Sequence, residues 1–233
     1  MELPLGVGGL SICLLILMIA GGCDDGGTQG PPGSPAHGIT CEGFPPPAGE
    51  QWTYRSSRTG MTWSQTTEEV DEAVGGYVVY RIHSSYAPPG LGQYVGCDPD
   101  DGEVFVATDS WEAGCTGEDC FINRYFWEPP MRDCPYGTAI GEVFSWHGVE
   151  LTDGVVTGTA YHTMRVLAYE TVSVPFGTID NAMKVEFTGV YGEATLEPSF
   201  RWFDESIGLV RSEEISTGNA VELIGYSPPP GGK

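Results

Sequence analysis

The chain has 233 residues, and its 32 acidic and 10 basic side chains give a formal net charge of −22. A surface this acidic repels phosphate backbones, so the composition argues against nucleic acid as a partner. With 34 glycines, 18 prolines, 11% aromatic residues and no long helical pattern, the sequence predicts an all-β protein of short strands and tight turns.

The N-terminal residues are typical of a targeting segment. The apolar run LSICLLILMIA at residues 10–20 is too short to span a bilayer comfortably and fits a signal peptide. It ends in small residues directly before Cys23, and this arrangement resembles the signals of bacterial lipoproteins. The resemblance implies a signal peptide at residues 1–22, cleavage after Gly22, and a diacylglyceryl thioether with an N-acyl chain such as palmitate on Cys23.

Such a modification would anchor the protein stably, because a single acyl chain gives only marginal membrane binding whereas several give firm attachment. Residues 23–40 are rich in Gly, Pro and Asp and predict a flexible tether. An ordinary secretory signal and an uncleaved anchor are the alternatives. We expect the β domain, residues 41–227, to lie in the periplasm or at the cell surface, with the membrane as a partner through the lipid anchor.

Alternating apolar and polar residues predict the strands in chain order. Trp52 and Tyr54 share one face of the first strand. The further strands of this half are expected at residues 61–70, which are polar and placed at a sheet edge, and at residues 77–83, 94–95 and 103–107. Residues 113–135 are expected to form a cysteine-bearing loop and hairpin.

A hairpin at residues 169–187 is the clearest predicted element. Pro175 favours a turn, and the second arm places Val185 and Phe187 on one face and Lys184 on the other. A last strand is predicted at residues 220–226. The tail at residues 228–233 is expected to be disordered, since its three prolines cannot continue a central strand.

The predicted strands also repeat. GEVFSW at residues 141–146 echoes GEQWTY at residues 49–54, and two later pairs of segments match in the same order. The repeat predicts two sequence-related halves, at about residues 41–133 and 134–227. We expect them to form one strongly curved antiparallel sheet, an open half-barrel, with tandem independent barrels as the alternative.

Three segments together resemble a widespread group of bacterial lipoproteins with no assigned activity. They are PPAGEQWTY at residues 46–54, the hairpin ETVSVPFGTIDNAMKV at residues 170–185, and WFDESIGLVR at residues 202–211. The group usually has Leu at the position of Pro47 and Ala at that of Phe176. The resemblance implies an open β half-barrel similar to lipoprotein-carrier (Lol-type) proteins, and it implies no catalysis.

Five cysteines remain besides Cys13 in the signal peptide and the lipidated residue. In an exported protein disulfides are the default. Cys115 and Cys120 bracket a turn-forming TGED and are expected to pair. Cys97 with Cys134 is the second expected pair; Cys41 with Cys134 competes with it, and the odd count leaves one thiol over. The intervals do not fit a zinc site.

Patterns of chemistry-bearing residues give little support for an enzyme or a cofactor. Asp98, Asp100, Asp101 and Glu103 lack the spacing of an EF-hand and predict a hairpin turn. No metal-binding histidine pair, nucleophile elbow, phosphate loop or dinucleotide motif is present in the sequence. We therefore expect no metal, no cofactor and no catalysis. An extracytoplasmic hydrolase that uses scattered acids and tyrosines is the alternative.

Aromatic side chains provide the one positive binding hypothesis. If a curved sheet were incompletely filled, they would line an apolar groove for a lipid or peptide; otherwise they would pack as core. The residues expected on the concave face are Trp52, Tyr54, Tyr80, Phe144, Trp146, Phe187 and Trp202. The sequence thus predicts a membrane-anchored domain with a binding, carrier or envelope-structural role.

Overall fold

The computed structural model describes residues 48–98, 102–111, 120–132, 136–192 and 194–229. The predicted signal peptide and tether, Cys23, Cys41, Cys115, Cys134 and most of the predicted tail lie outside these residues. Within them, no helix is long and apolar enough to cross a membrane. The strands are β1 (Gln51–Ser56), β2 (Thr62–Glu69), β3 (Val79–Ser84), β4 (Gln93–Asp98), β5 (Gly102–Trp111), β6 (Phe121–Arg132), β7 (Val143–Thr152), β8 (Val155–Val174), β9 (Gly177–Tyr191), β10 (Ala194–Thr195), β11 (Ser199–Asp204), β12 (Gly208–Glu214) and β13 (Ala220–Ser227).

These strands form a closed barrel. All the pairings are antiparallel, and strands that are consecutive in the sequence are neighbours in the sheet, with one exception. β11 lies beside β9 rather than β10, because the two-residue β10 pairs with the end of β9. The first strand pairs with the last, from Gln51 opposite Ser227 to Ser56 opposite Val221, which closes a barrel of 12 strands. The predicted open half-barrel is therefore wrong. The alternation of residues within a strand predicts which face of that strand is buried. Closure depends instead on whether strands far apart in the sequence pair along their edges, and alternation does not specify that.

The predicted hairpin is confirmed as β8 and β9, the longest strands of the sheet. Their ladder runs from Ala160 opposite Tyr191 to Val174 opposite Gly177, so Pro175 and Phe176 form the turn. Apolar side chains of β9 alternate with polar ones and are fully buried, while Lys184 between them is partly exposed. This period of two places one face of the hairpin in the barrel interior.

Large side chains fill the interior. Twelve strands enclose more space than the eight of small barrels, which side chains alone can fill. Here the added space is taken up by aromatic rings packed edge to face: Trp127 of β6 lies 6.2 Å from Trp146 of β7 and 5.8 Å from Tyr191 of β9, centroid to centroid. Such contacts stabilise the packing beyond the burial of apolar area.

A second, smaller apolar cluster covers the outer face of β3 to β5. The segment before β3 folds back through a bridge between Val74 and Tyr77 and packs on Val104 and Val106. Gly96 permits this close approach, because a Cβ there would lie 2.9 Å from the Cβ of Tyr77. The outer wall of β3 to β5 is therefore partly covered by the chain itself.

Two local predictions were also wrong. Residues 61–70 were expected at a sheet edge, but β2 pairs with β1 on one side and β3 on the other. The cysteine-bearing region was expected to be a loop and hairpin, yet β6 occupies 12 residues of it and pairs with both β5 and β7. The first error arose because polar residues were assigned to an edge, and the second because the apolar–polar alternation of β6 is weak.

Candidate functional site

The structure brings most of the predicted groove residues together inside the barrel. Tyr54 and Phe187 are 0% exposed and Trp52 is 1% exposed. Tyr80, Phe144 and Trp146 belong to or pack against the same core cluster. These side chains are therefore in the core, where a closed barrel leaves them no open concave face.

Polar atoms of these rings bond to main-chain carbonyls where neighbouring strands separate. The ladder between β12 and β13 ends with Arg211 opposite Glu222. Beyond that point Trp52 Nε1 donates to the carbonyl of Ile207 at 2.6 Å, and Tyr54 Oη donates to that of Leu209 at 3.0 Å. Burial, and to a smaller degree the charge of Glu50, raises the pKa of Tyr54 well above its usual value.

The same arrangement occurs between β6 and β7. Their ladder runs only from Phe126 to Glu128, and beyond it Trp146 Nε1 donates to the carbonyl of Pro130 at 3.0 Å. Buried indole and phenol groups need a hydrogen-bond partner, and a separating strand offers unpaired carbonyls. These aromatic side chains thus have a structural role at both short ladders.

Trp202 lies on the other face of the sheet. Trp202 lies opposite Lys184 of β9, and cross-strand partners project from the same face of a sheet. Because Lys184 alternates with the buried residues of β9, both side chains project from the face opposite to the barrel interior. Its Nε1 donates to Glu170 Oε1 at 2.8 Å, and Lys184 Nζ and Arg211 Cζ lie 4.7 and 5.3 Å from its ring. The hydrogen bond from Trp202 lowers the pKa of Glu170 despite opposing burial, with help from Lys184.

The histidines of the domain lie on three separate strands, β3, β7 and β8. Of these, His162 is buried against the ring of Trp146 at 5.5 Å, and its Nδ1 lies 3.0 Å from Tyr191 Oη. Burial, and then the charge of Arg201, lowers the pKa of His162 to about 4. At neutral pH it is an uncharged core residue.

Sequence reasoning missed a buried ion pair between β5 and β6. Asp109 Oδ1 accepts from Arg124 Nε at 2.7 Å, and Asp109 Oδ2 accepts from Tyr94 Oη at 2.9 Å and from the Gly92 amide at 3.3 Å. The side chain of Asp109 is 0% exposed. The available signal was an acid after the apolar run EVFVAT with an arginine across the hairpin, which is too common to be specific.

Cysteine and metal predictions are only partly covered by the described residues. Cys97 and Cys120 are disulfide-bonded, and the other cysteines of the domain lie outside the described part of the chain. Asp98, which belongs to the predicted acidic turn, accepts a hydrogen bond at Oδ2 from Tyr77 Oη at 3.4 Å. Within the described ranges, no group of three or more His, Cys, Asp or Glu residues could hold a metal.

Comparison with known proteins gives one weak likeness. No family model and no curated protein matches the chain. The chain is similar to a solved structure described as that of a candidate lipoprotein from Parabacteroides distasonis. The match covers 77% of this chain and 95% of the other, at 14% sequence identity and a TM-score of 0.37. These values add no argument about function.

Proposed function

We propose that the chain is a lipid-anchored protein of the bacterial cell envelope. The observation that carries the proposal is Cys23, which follows a signal-like apolar run and small residues and precedes a tether to the first strand at Gln51. Residues 24–50 would separate the acyl chains from the barrel, and a Gly- and Pro-rich segment of that length would let the domain stand clear of the membrane. Membership of the lipoprotein group named above is part of this proposal.

The role of the barrel in this proposal is binding or structural rather than catalytic. It is supported by Trp52, Tyr54, Phe187 and His162, which are buried in packing and in hydrogen bonds inside the barrel. A catalytic group must reach its substrate, and a side chain that is 0 to 1% exposed inside a packed core does not. A lipid or peptide ligand would contact the ends or outer wall of the barrel, and the acidic composition argues against nucleic acid as a partner.

The anchor is tested by expressing the full chain in a bacterium beside a Cys23→Ser variant and analysing membrane and soluble fractions by mass spectrometry. We expect the wild-type chain in the membrane fraction, with an N-terminal Cys23 that carries acyl chains. The variant should lose the acyl mass and leave the membrane. An unmodified Cys23 peptide in the wild-type membrane fraction contradicts the proposal.

Ligand binding is tested separately, with an environment-sensitive naphthalene dye and the folded domain. Saturable fluorescence that lipid or peptide displaces would support a binding role. Lack of saturable dye binding, with lipidation intact, would leave the structural role. Substrate turnover by the wild-type domain would contradict both.

A further inference from the structure

The inner wall of the barrel is polar along β2. Trp63, Gln65 and Thr67 alternate with exposed or half-buried neighbours, and they are 7%, 0% and 2% exposed. The corresponding buried positions of β9, by contrast, are apolar. Gln65 and Thr67 thus occupy consecutive interior positions of β2, and two buried polar side chains in a row are unusual for a barrel core.

The strand registers place further polar side chains beside Gln65. It lies opposite Trp52 of β1 and Ser84 of β3, and Ile82 of β3 lies opposite Gln93 of β4. Cross-strand partners share a face, and Trp52 and Ile82 belong to the interior core. Gln65, Ser84 and Gln93 therefore lie on the interior face of adjacent strands, with opposite partners about 5 Å apart at Cβ.

Several polar atoms of this wall have no hydrogen-bond partner among the described residues. They are Gln65 Nε2, Gln65 Oε1, Trp63 Nε1 and Gln93 Oε1, each of them buried. The nearby hydroxyl of Ser84 accepts only a long bond of 3.4 Å from the Tyr86 amide. An unpaired buried polar group destabilises the folded protein, and the large majority of such groups are paired in native proteins. Four such atoms on β2 and β4, the two strands that flank β3, point to a partner that is not a protein group.

The chemistry of the wall restricts what that partner is. It offers both donors, Gln65 Nε2 and Trp63 Nε1, and acceptors, Gln65 Oε1 and Gln93 Oε1. The buried side chains that β1 to β4 turn toward the core are uncharged, so a charged guest would be buried without a counter-ion, which is strongly unfavourable. Aromatic rings flank the polar atoms: the ring centroids of Tyr54 and Tyr86 lie 5.8 and 6.1 Å from the ring centroid of Trp63.

We propose that the inner wall of β1 to β4 binds an uncharged guest that both donates and accepts hydrogen bonds. The guest accepts from Trp63 Nε1 and Gln65 Nε2 and donates to Gln65 Oε1 or Gln93 Oε1. Buried water has this chemistry, and so does the hydroxyl or amide of a small neutral molecule. This site goes beyond the proposed anchor and surface role and does not depend on either.

The test uses the indole proton of Trp63 and the side-chain amide protons of Gln65 as NMR probes in the folded domain. A water-bound site gives cross-peaks from both probes to the water resonance, and these persist in Ser84→Ala, which removes the nearest exchangeable hydroxyl. Gln65→Met identifies the amide signals and should reduce the Trp63 cross-peak at least tenfold. Gln51→Met, at an exposed position of the neighbouring strand, is the matched control and should leave it unchanged.

Native mass spectrometry of the same samples separates the two sources of the guest. A neutral added mass on the wild type and Gln51→Met that is absent from Gln65→Met identifies a small molecule. Water cross-peaks with no added mass identify water. If the Trp63 and Gln65 protons of the wild type show no cross-peak to water and no added mass is found, the proposal is overturned. Because this outcome is measured on the wild type, the test remains valid even if Gln65→Met fails to fold.

Discussion

At the residue scale, His162 shows how burial changes the chemistry of a side chain. On the sequence it was one of several unpaired histidines. In the structure it is buried beside Trp146 and Tyr191, and this burial, followed by the charge of Arg201, lowers its pKa to about 4. The unfolded chain, in contrast, would titrate this group near its ordinary pKa of 6.5.

This difference predicts an acid-sensitive stability. Between pH 6.5 and about 4 the unfolded state binds the proton and the folded state does not, so the free energy of unfolding falls as the pH falls through this window. The loss attributable to His162 is up to about 3 kcal/mol, because one pKa unit corresponds to about 1.4 kcal/mol. Urea unfolding at a series of pH values measures it.

His162→Phe keeps an aromatic ring but cannot titrate, so it should flatten this part of the pH profile relative to the wild type. His147→Phe changes the neighbouring, exposed histidine of β7 and should retain the wild-type slope. Equal slopes for His162→Phe and the wild type would show that His162 does not carry the effect.

At the element scale, the β5 ladders separate the two described cysteines. Cys97 lies opposite Glu103, whereas Phe121, which follows Cys120, lies opposite Trp111 at the far end of the same strand. The rise of a strand puts these ends about 26 Å apart, and a disulfide joins Cα atoms only about 4–7 Å apart. The two cysteines therefore belong to different disulfides.

Peptide mapping under non-reducing conditions should show this directly. We expect one linked peptide pair that contains Cys97 and Cys134 and another that contains Cys115 and Cys120, with Cys41 left over. The first pair is favoured because Arg132 lies opposite Val104, next to the partner of Cys97. A linked peptide that joins Cys97 to Cys120 would contradict the strand register.

At the scale of the whole molecule, closure depends on β13. This strand pairs with β12 over a short ladder and with β1 along its whole length, and it contributes the fully buried Leu223 to the core. Closure leaves the barrel without open edges apart from the short ladders, which aromatic side chains cover. Removal of β13 would therefore expose both an edge and the interior.

A chain that ends after residue 219 should fail to unfold cooperatively when it is heated and should lose amide protection throughout the sheet. A chain that ends after residue 227 keeps β13 and should behave like the full-length protein. Circular dichroism and hydrogen exchange measure both. If the shorter chain kept a cooperative transition and protected strands, closure would not be what holds the sheet together.

Much of the local structure could be predicted from particular residues. The alternation in β9 and the proline before its turn located the longest hairpin, and the segments GEQWTY and GEVFSW overlap β1 and β7. The site was less predictable. Gln65 was assigned to a polar edge strand because its type is usually exposed, and only pairing with β1 and β3 turns it inward.

The sequence by itself determined the all-β antiparallel architecture, many strand positions and the acyl-anchor hypothesis, because these depend on neighbours along the chain: alternation, turn residues and the segment before Cys23. The tertiary structure decided barrel closure, the placement of Trp202 outside and of Gln65 inside, and the neutral state of His162. Each of these depends on how strands pair and pack in three dimensions, and the pairing of the first strand with the last is a contact that no local pattern encodes.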